Sequence, residues 1–110
     1  MAISVVIAEV IGGAIKLLLY TKRPQERPRL TLYQKWDASS FPSMHTSRII
    51  VLALWMIAGF FSFLMTVAAI ILVGVVAYSR IALKAHYIRD VVGGIILGIV
   101  SWLFVLFFFP

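Results

Sequence analysis

Apolar residues in this chain come in long blocks and do not alternate with polar ones. Residues 2–21 are nearly all apolar, residues 49–77 almost continuously so, and a third block runs from about residue 86 to Phe109. A hydrocarbon core of about 30 Å takes roughly 20 helical residues, so the first and third blocks each predict one spanning helix. The middle block is overlong for one helix. A single helix there would separate His45 from Arg80 by roughly 45 Å, whereas a hairpin turning near Gly59 to Ser62 returns both to one face. We take the hairpin. The predicted fold is all-α: one integral membrane domain over 1–110, with four transmembrane helices at about 2–21, 46–61, 62–83 and 86–109 and an interfacial loop over 22–45.

Breakers and amphipathic rings refine this outline. Pro24 is expected to end the first helix. Tyr33 and Trp36 suit the headgroup zone, which lays the loop along the membrane surface. Pro42 and Ser43 form a helix-start signal just ahead of the middle block. In the last block, Gly94 and Gly98 stand four apart, a spacing that permits close helix approach, within the chain or across a homodimer seam.

Composition strengthens the membrane reading. Hydrophobic residues make up 63% of the 110 positions and charged ones 13%. A soluble fold of this size could not bury so much apolar surface. There is no cysteine, which excludes disulfides, thiolate nucleophiles and Cys-based metal sites. The first block lacks a basic leader and a small-residue cleavage site, so it reads as a retained span and not as a signal peptide. The net charge of +6 sits beside apolar spans, which favours membrane lipids and a lipid phosphate as partners and not nucleic acid.

Two charges fall inside the first block. Lys16 stands near its end, and Glu9, seven residues earlier, lies about 10 Å deeper on nearly the same face. An ionised carboxylate at that depth is costly. Glu9 is therefore expected to be protonated or bonded to a polar side chain such as Ser62, Thr66 or Ser101, in a structural role.

The stretch Ser79 to Asp90 carries the chemistry. If the last helix has begun by His86, the four-residue step to Asp90 puts imidazole and carboxylate on one face. Such a pair supplies a nucleophile or base and the group that orients it. Arg80 adds a charged planar fork suited to phosphate.

Three sets of residues together resemble the motifs of the type 2 phosphatidic acid phosphatase superfamily, whose core is shared by vanadium-dependent haloperoxidases. They are Lys16 followed after six residues by Arg23-Pro24; Pro42-Ser43-Met44-His45; and Ser79-Arg80, five residues, His86, three residues, Asp90. The resemblance implies that His86 is the nucleophile, that Asp90 orients its ring, and that His45 protonates the leaving oxygen. It implies phosphate binding by Lys16, Arg23, Arg80 and Ser43, with backbone amides at Met44 and the start of that helix, and no metal or other cofactor. The activity implied is metal-independent hydrolysis of a lipid phosphomonoester or diphosphate through a phosphohistidine. Phosphatidic acid, phosphatidylglycerophosphate and polyprenyl phosphates or diphosphates are the substrates it admits. A non-catalytic lipid-phosphate binder and a structural membrane subunit are the competing classes. Arg27, Arg29, Lys35, Arg48, Lys84, Arg89 and Lys22 are assigned to headgroups or topology.

The chain departs from the family pattern in two places. Met44 stands where glycine is usual, which bears on the tightness of the pocket. Two helices that usually precede the first motif are missing, so the chain reads as a reduced four-span form of a six-helix core or as a piece of a longer protein. All ten Lys and Arg residues fall on the motif side, which the positive-inside rule would turn to the cytoplasm. The resemblance implies the extracytoplasmic face of the cell membrane, and the reading follows it.

Overall fold

The computed structural model describes residues 2–24 and 30–109. Arg27, Arg29 and the side chain of Lys35, all expected at headgroups, lie outside what is described. Five helices follow one another: α1 (Ala2–Leu18), α2 (Leu32–Ala38), α3 (Met44–Phe60), α4 (Phe63–Ala82) and α5 (Ile88–Phe108).

Small residues let the helices close on one another. On α1 the buried positions are Ser4, Ala8, Gly12 and Lys16, a four-residue stripe of the kind that allows close backbone approach. Its last member is charged, so the face that packs inward also carries Lys16 to one end of the bundle. On α5 the buried face includes Asp90, Gly94, Leu97, Gly98 and Ser101. A Cβ on Gly94 would overlap the Ser43 carbonyl, and one on Gly98 would overlap Ile50. The close approach that the spacing permits is made here to α3 of the same chain. Helices α1, α3 and α5 pack mutually, while α4 lies mainly against α3 and buries only Ala69. The outward faces, such as Val10, Leu64, Val75, Ile96 and Phe107, are exposed and apolar.

The expected helix break falls at Phe61 and Ser62. Phe61 adopts a left-handed conformation (φ 49°, ψ 37°) and donates its N–H to the Ile57 carbonyl, while the Ser62 hydroxyl accepts from Met65 N–H to start α4. This stop-and-restart returns α4 to the end where α3 begins. Two helices, α4 and α5, are long and apolar enough to cross a membrane. The other two apolar helices, α1 and α3, have 17 residues each, so length does not carry the expected count of four spans.

Two local expectations change. Helix α1 ends at Leu18, well before Pro24. The chain then pairs with a later segment, Ser40 N–H donating to the Thr21 carbonyl at 2.7 Å and Thr21 N–H to Ser39 Oγ at 3.3 Å. The 22–45 segment is not merely a surface loop: it contains α2, and Ala38, Ser39 and Ser40 are fully buried.

Candidate active site

The catalytic candidates gather where four helices end or begin. Lys16 lies in the last turn of α1, Arg80 in the last turn of α4, His45 in the first turn of α3, and His86 just ahead of α5. Together with Arg23, Trp36, Asp37, Met44 and Arg48 they line a cavity of about 130 Å³. That is room for several waters, or for one tetrahedral anion in their place.

His86 is positioned by the end of α4. Leu83 N–H returns to Ser79 O, Lys84 takes a left-handed backbone (φ 56°), and the N–H groups of Ala85 and His86 both donate to Arg80 O, at 3.1 and 3.2 Å. The ring is buried, with Nδ1 3.7 Å from Asp90 Oδ2 and Nε2 3.3 Å from an Arg23 guanidinium nitrogen. A guanidinium only donates, so Nε2 is the acceptor and the ring proton belongs on Nδ1, toward Asp90. That tautomer leaves the lone pair on the cavity side. Burial, with the charges of Arg23 and then Lys16, lowers the His86 pKa to about 4, against the opposing pull of Asp90 and of the Ser40 backbone. At neutral pH the ring is uncharged and nucleophilic.

Asp90 meets His86 for a reason other than helical spacing. Helix α5 begins at Ile88, after His86, with Tyr87 as its N-cap. Asp90 is the third residue of that helix, and its Oδ2 accepts Tyr87 N–H at 2.8 Å and the Ser40 hydroxyl. Its other oxygen is 3.5 Å from Arg89 Nε. The carboxylate is thus clamped before it faces the imidazole.

The cations are held by the main chain of the 37–40 segment. Lys16 Nζ donates to Ser39 O at 2.7 Å and lies 5.9 Å from the centre of the Trp36 ring. Arg23 donates to Asp37 O at 2.8 and 3.1 Å and to Ala85 O at 2.8 Å. Arg80 differs, because its Nε is buried without a hydrogen-bond partner. A buried donor left unsatisfied costs free energy that an anion's oxygen would recover.

The remaining expected residues fall as follows. His45 is exposed at the cavity wall. Ser43 is fully buried and is not among the cavity-lining residues; its hydroxyl caps α3 at Thr46 N–H and meets Thr46 Oγ1 at 2.9 Å. Met44 reaches the cavity, and its thioether packs over Gly12 in a cluster with Ala8 and Leu97. Among described non-glycine residues only Phe61 and Lys84 have positive φ, so methionine in place of the usual glycine imposes no backbone strain. Arg48, expected at headgroups, lines the cavity and forms an ion pair with Glu9. The partner of Glu9 is therefore Arg48. Thr66 and Ser101 bond carbonyls of their own helices, at Ser62 and Leu97, and Ser62 caps α4.

Family comparison agrees with this assembly. The family model described as the PAP2 superfamily matches residues 1–110. The chain belongs to the PAP2 superfamily. PAP2 proteins are phosphatase-type hydrolases, and the resemblance drawn from the three motifs is a true family relation. No curated protein and no solved structure matches this PAP2 chain significantly. Sequence reasoning missed Ser40, Trp36 and Arg48 at the site. Only Arg48 carried a signal, standing three residues after His45 and so on its face of the helix.

Proposed function

We propose that this PAP2 protein is an integral membrane lipid phosphatase working through a phosphohistidine. The observation that carries the reading is the His86 ring, backed by Asp90 and turned by its Nε2 into a cavity lined by Lys16, Arg23 and Arg80. A phosphate entering there draws Arg23 from Nε2 onto its own oxygens, and the three cations spread over the equatorial oxygens of the transferring group. His86 Nε2 attacks phosphorus, the bond to the leaving oxygen breaks, and His45 gives that oxygen a proton. Asp90 stabilises the positive charge that develops on the ring. Water then attacks the phosphohistidine, passes a proton to His45, and frees inorganic phosphate and the neutral ring.

The lipid class is supported by the setting. The cavity lies at one end of helices whose outer faces are apolar, so a phosphate on a lipid headgroup arrives at the correct level. Phosphatidic acid, phosphatidylglycerophosphate and polyprenyl phosphates or diphosphates are the substrates to try. One observation favours a non-catalytic lipid-phosphate binder: the contact of Arg23 with Nε2, which occupies the nucleophile. A phosphate-release panel in detergent with EDTA present, and vanadate as inhibitor, separates the two. Wild type should release phosphate and His86→Ala should fall to background. Turnover retained by His86→Ala, or strict dependence on a divalent metal, would remove the mechanism.

A further inference from the structure

The Glu9 and Arg48 pair is not used by the chemistry above, yet Arg48 lines the same cavity. Arg48 stands one turn beyond His45 on α3, about 4.5 Å further along the axis and on the same face. Helix α1 runs toward the site, with Lys16 in its last turn. Glu9 is seven residues back, about 10 Å along α1 from Lys16, and the pair borders the cavity through Arg48. A lipid substrate must place its chain on that side. A leaving group on that side would lie between the reacting phosphorus and Arg48, next to His45.

The pair is open to exchange. The Arg48 side chain is 42% exposed and that of Glu9 31%, unlike the buried Lys16 and Arg23. For a lipid monophosphate the atoms beyond the leaving oxygen are carbon and offer Arg48 nothing. For a diphosphate they are a second phosphate, whose oxygens fit a guanidinium fork better than one carboxylate oxygen does.

Resting on the phosphatase reading, we propose that Arg48 is a specificity residue holding the leaving phosphate of a lipid diphosphate, and that Glu9 occupies it until substrate arrives. In the step itself His86 Nε2 bonds to the terminal phosphorus, and the bond from that phosphorus to the bridging oxygen breaks. The electron pair goes to the bridging oxygen of the departing lipid monophosphate. Arg48 faces the charge that develops there, and the proton comes from His45.

The test compares a diphosphate with a monophosphate of the same chain length, and inorganic pyrophosphate with orthophosphate in direct binding to the full chain in detergent. Arg48→Ala is expected to lower the diphosphate-to-monophosphate ratio of kcat/KM by about 10- to 100-fold, the size expected from losing a charged hydrogen bond. The pyrophosphate-to-orthophosphate affinity ratio should move the same way. Glu9→Gln removes the competitor and should raise both ratios; ratios that stay or fall overturn the exchange. Equal losses on both substrates in Arg48→Ala would make the pair a strut between α1 and α3 and end the proposal. Binding in the unaltered chain decides without any variant, since pyrophosphate no tighter than orthophosphate also overturns it. Because binding needs no turnover, failure of the phosphohistidine mechanism is read separately, in His86→Ala.

Discussion

At the scale of single residues, the decisive property is that His86 is kept neutral and aimed. A histidine with its pKa lowered from 6.5 to about 4 binds a proton in the unfolded chain before it does so in the folded one. Stability therefore rises with pH between about 4 and 6.5, is level above that window, and changes no further below it. Relative to His86→Gln, wild type should gain on the order of 3 kcal/mol across the window. Thermal melts in detergent from pH 4 to 7.5 check this, and parallel curves for the two proteins would show that the ring is not depressed. The sequence revealed His86, Asp90, Lys16, Arg23 and Arg80 because charged side chains in an apolar chain stand out. It could not reveal Ser40 behind Asp90, nor the carbonyls of Asp37 and Ser39 that hold two of the cations, because every residue has a carbonyl. Glu9 stood out equally, but its partner depended on how α1 meets α3, which no spacing within either helix encodes.

At the scale of elements, the site depends on how helices stop. Ser43 and the Phe61–Ser62 break were legible, because a capping hydroxyl before an apolar run and an overlong apolar run each leave a mark. Helix α2 and the burial of residues 38–40 were not, since tyrosine and tryptophan in a polar stretch also fit a headgroup loop. The α4 to α5 connection carries a cost that the sequence hides. Lys84 holds a left-handed backbone where glycine would be at ease, a conformation worth roughly 1–2 kcal/mol to a residue with a Cβ. Lys84→Gly is expected to raise the melting temperature by a few degrees with the α4 to α5 connection otherwise intact, because it relieves this strain two residues before His86. A lower melting temperature would mean that contacts of the lysine chain outweigh the strain.

At the scale of the molecule, the helices meet at one end and are unequal. Their shared end is fixed by the site, where Lys16, His45, Arg80 and His86 converge. Helices α4 and α5 extend 20 and 21 residues, while α1 and α3 have 17 each, about 26 Å against 30 Å or more. Only Phe61 and Ser62 join α3 to α4, so the far ends of these two helices stand level and the difference in their lengths falls at the site end. On the proposed membrane reading, a bilayer of ordinary depth would thin around α1 and α3 or take up polar helix ends, at a cost of fractions of a kcal/mol per ångström. Reconstituted into vesicles of graded acyl length, the protein should turn over fastest in the thinner ones, with a flat profile counting against the membrane placement. On the proposed membrane reading, helices about one turn shorter than their neighbours would favour a thinner bilayer, and bilayer thickness would then help select which lipids reach His86.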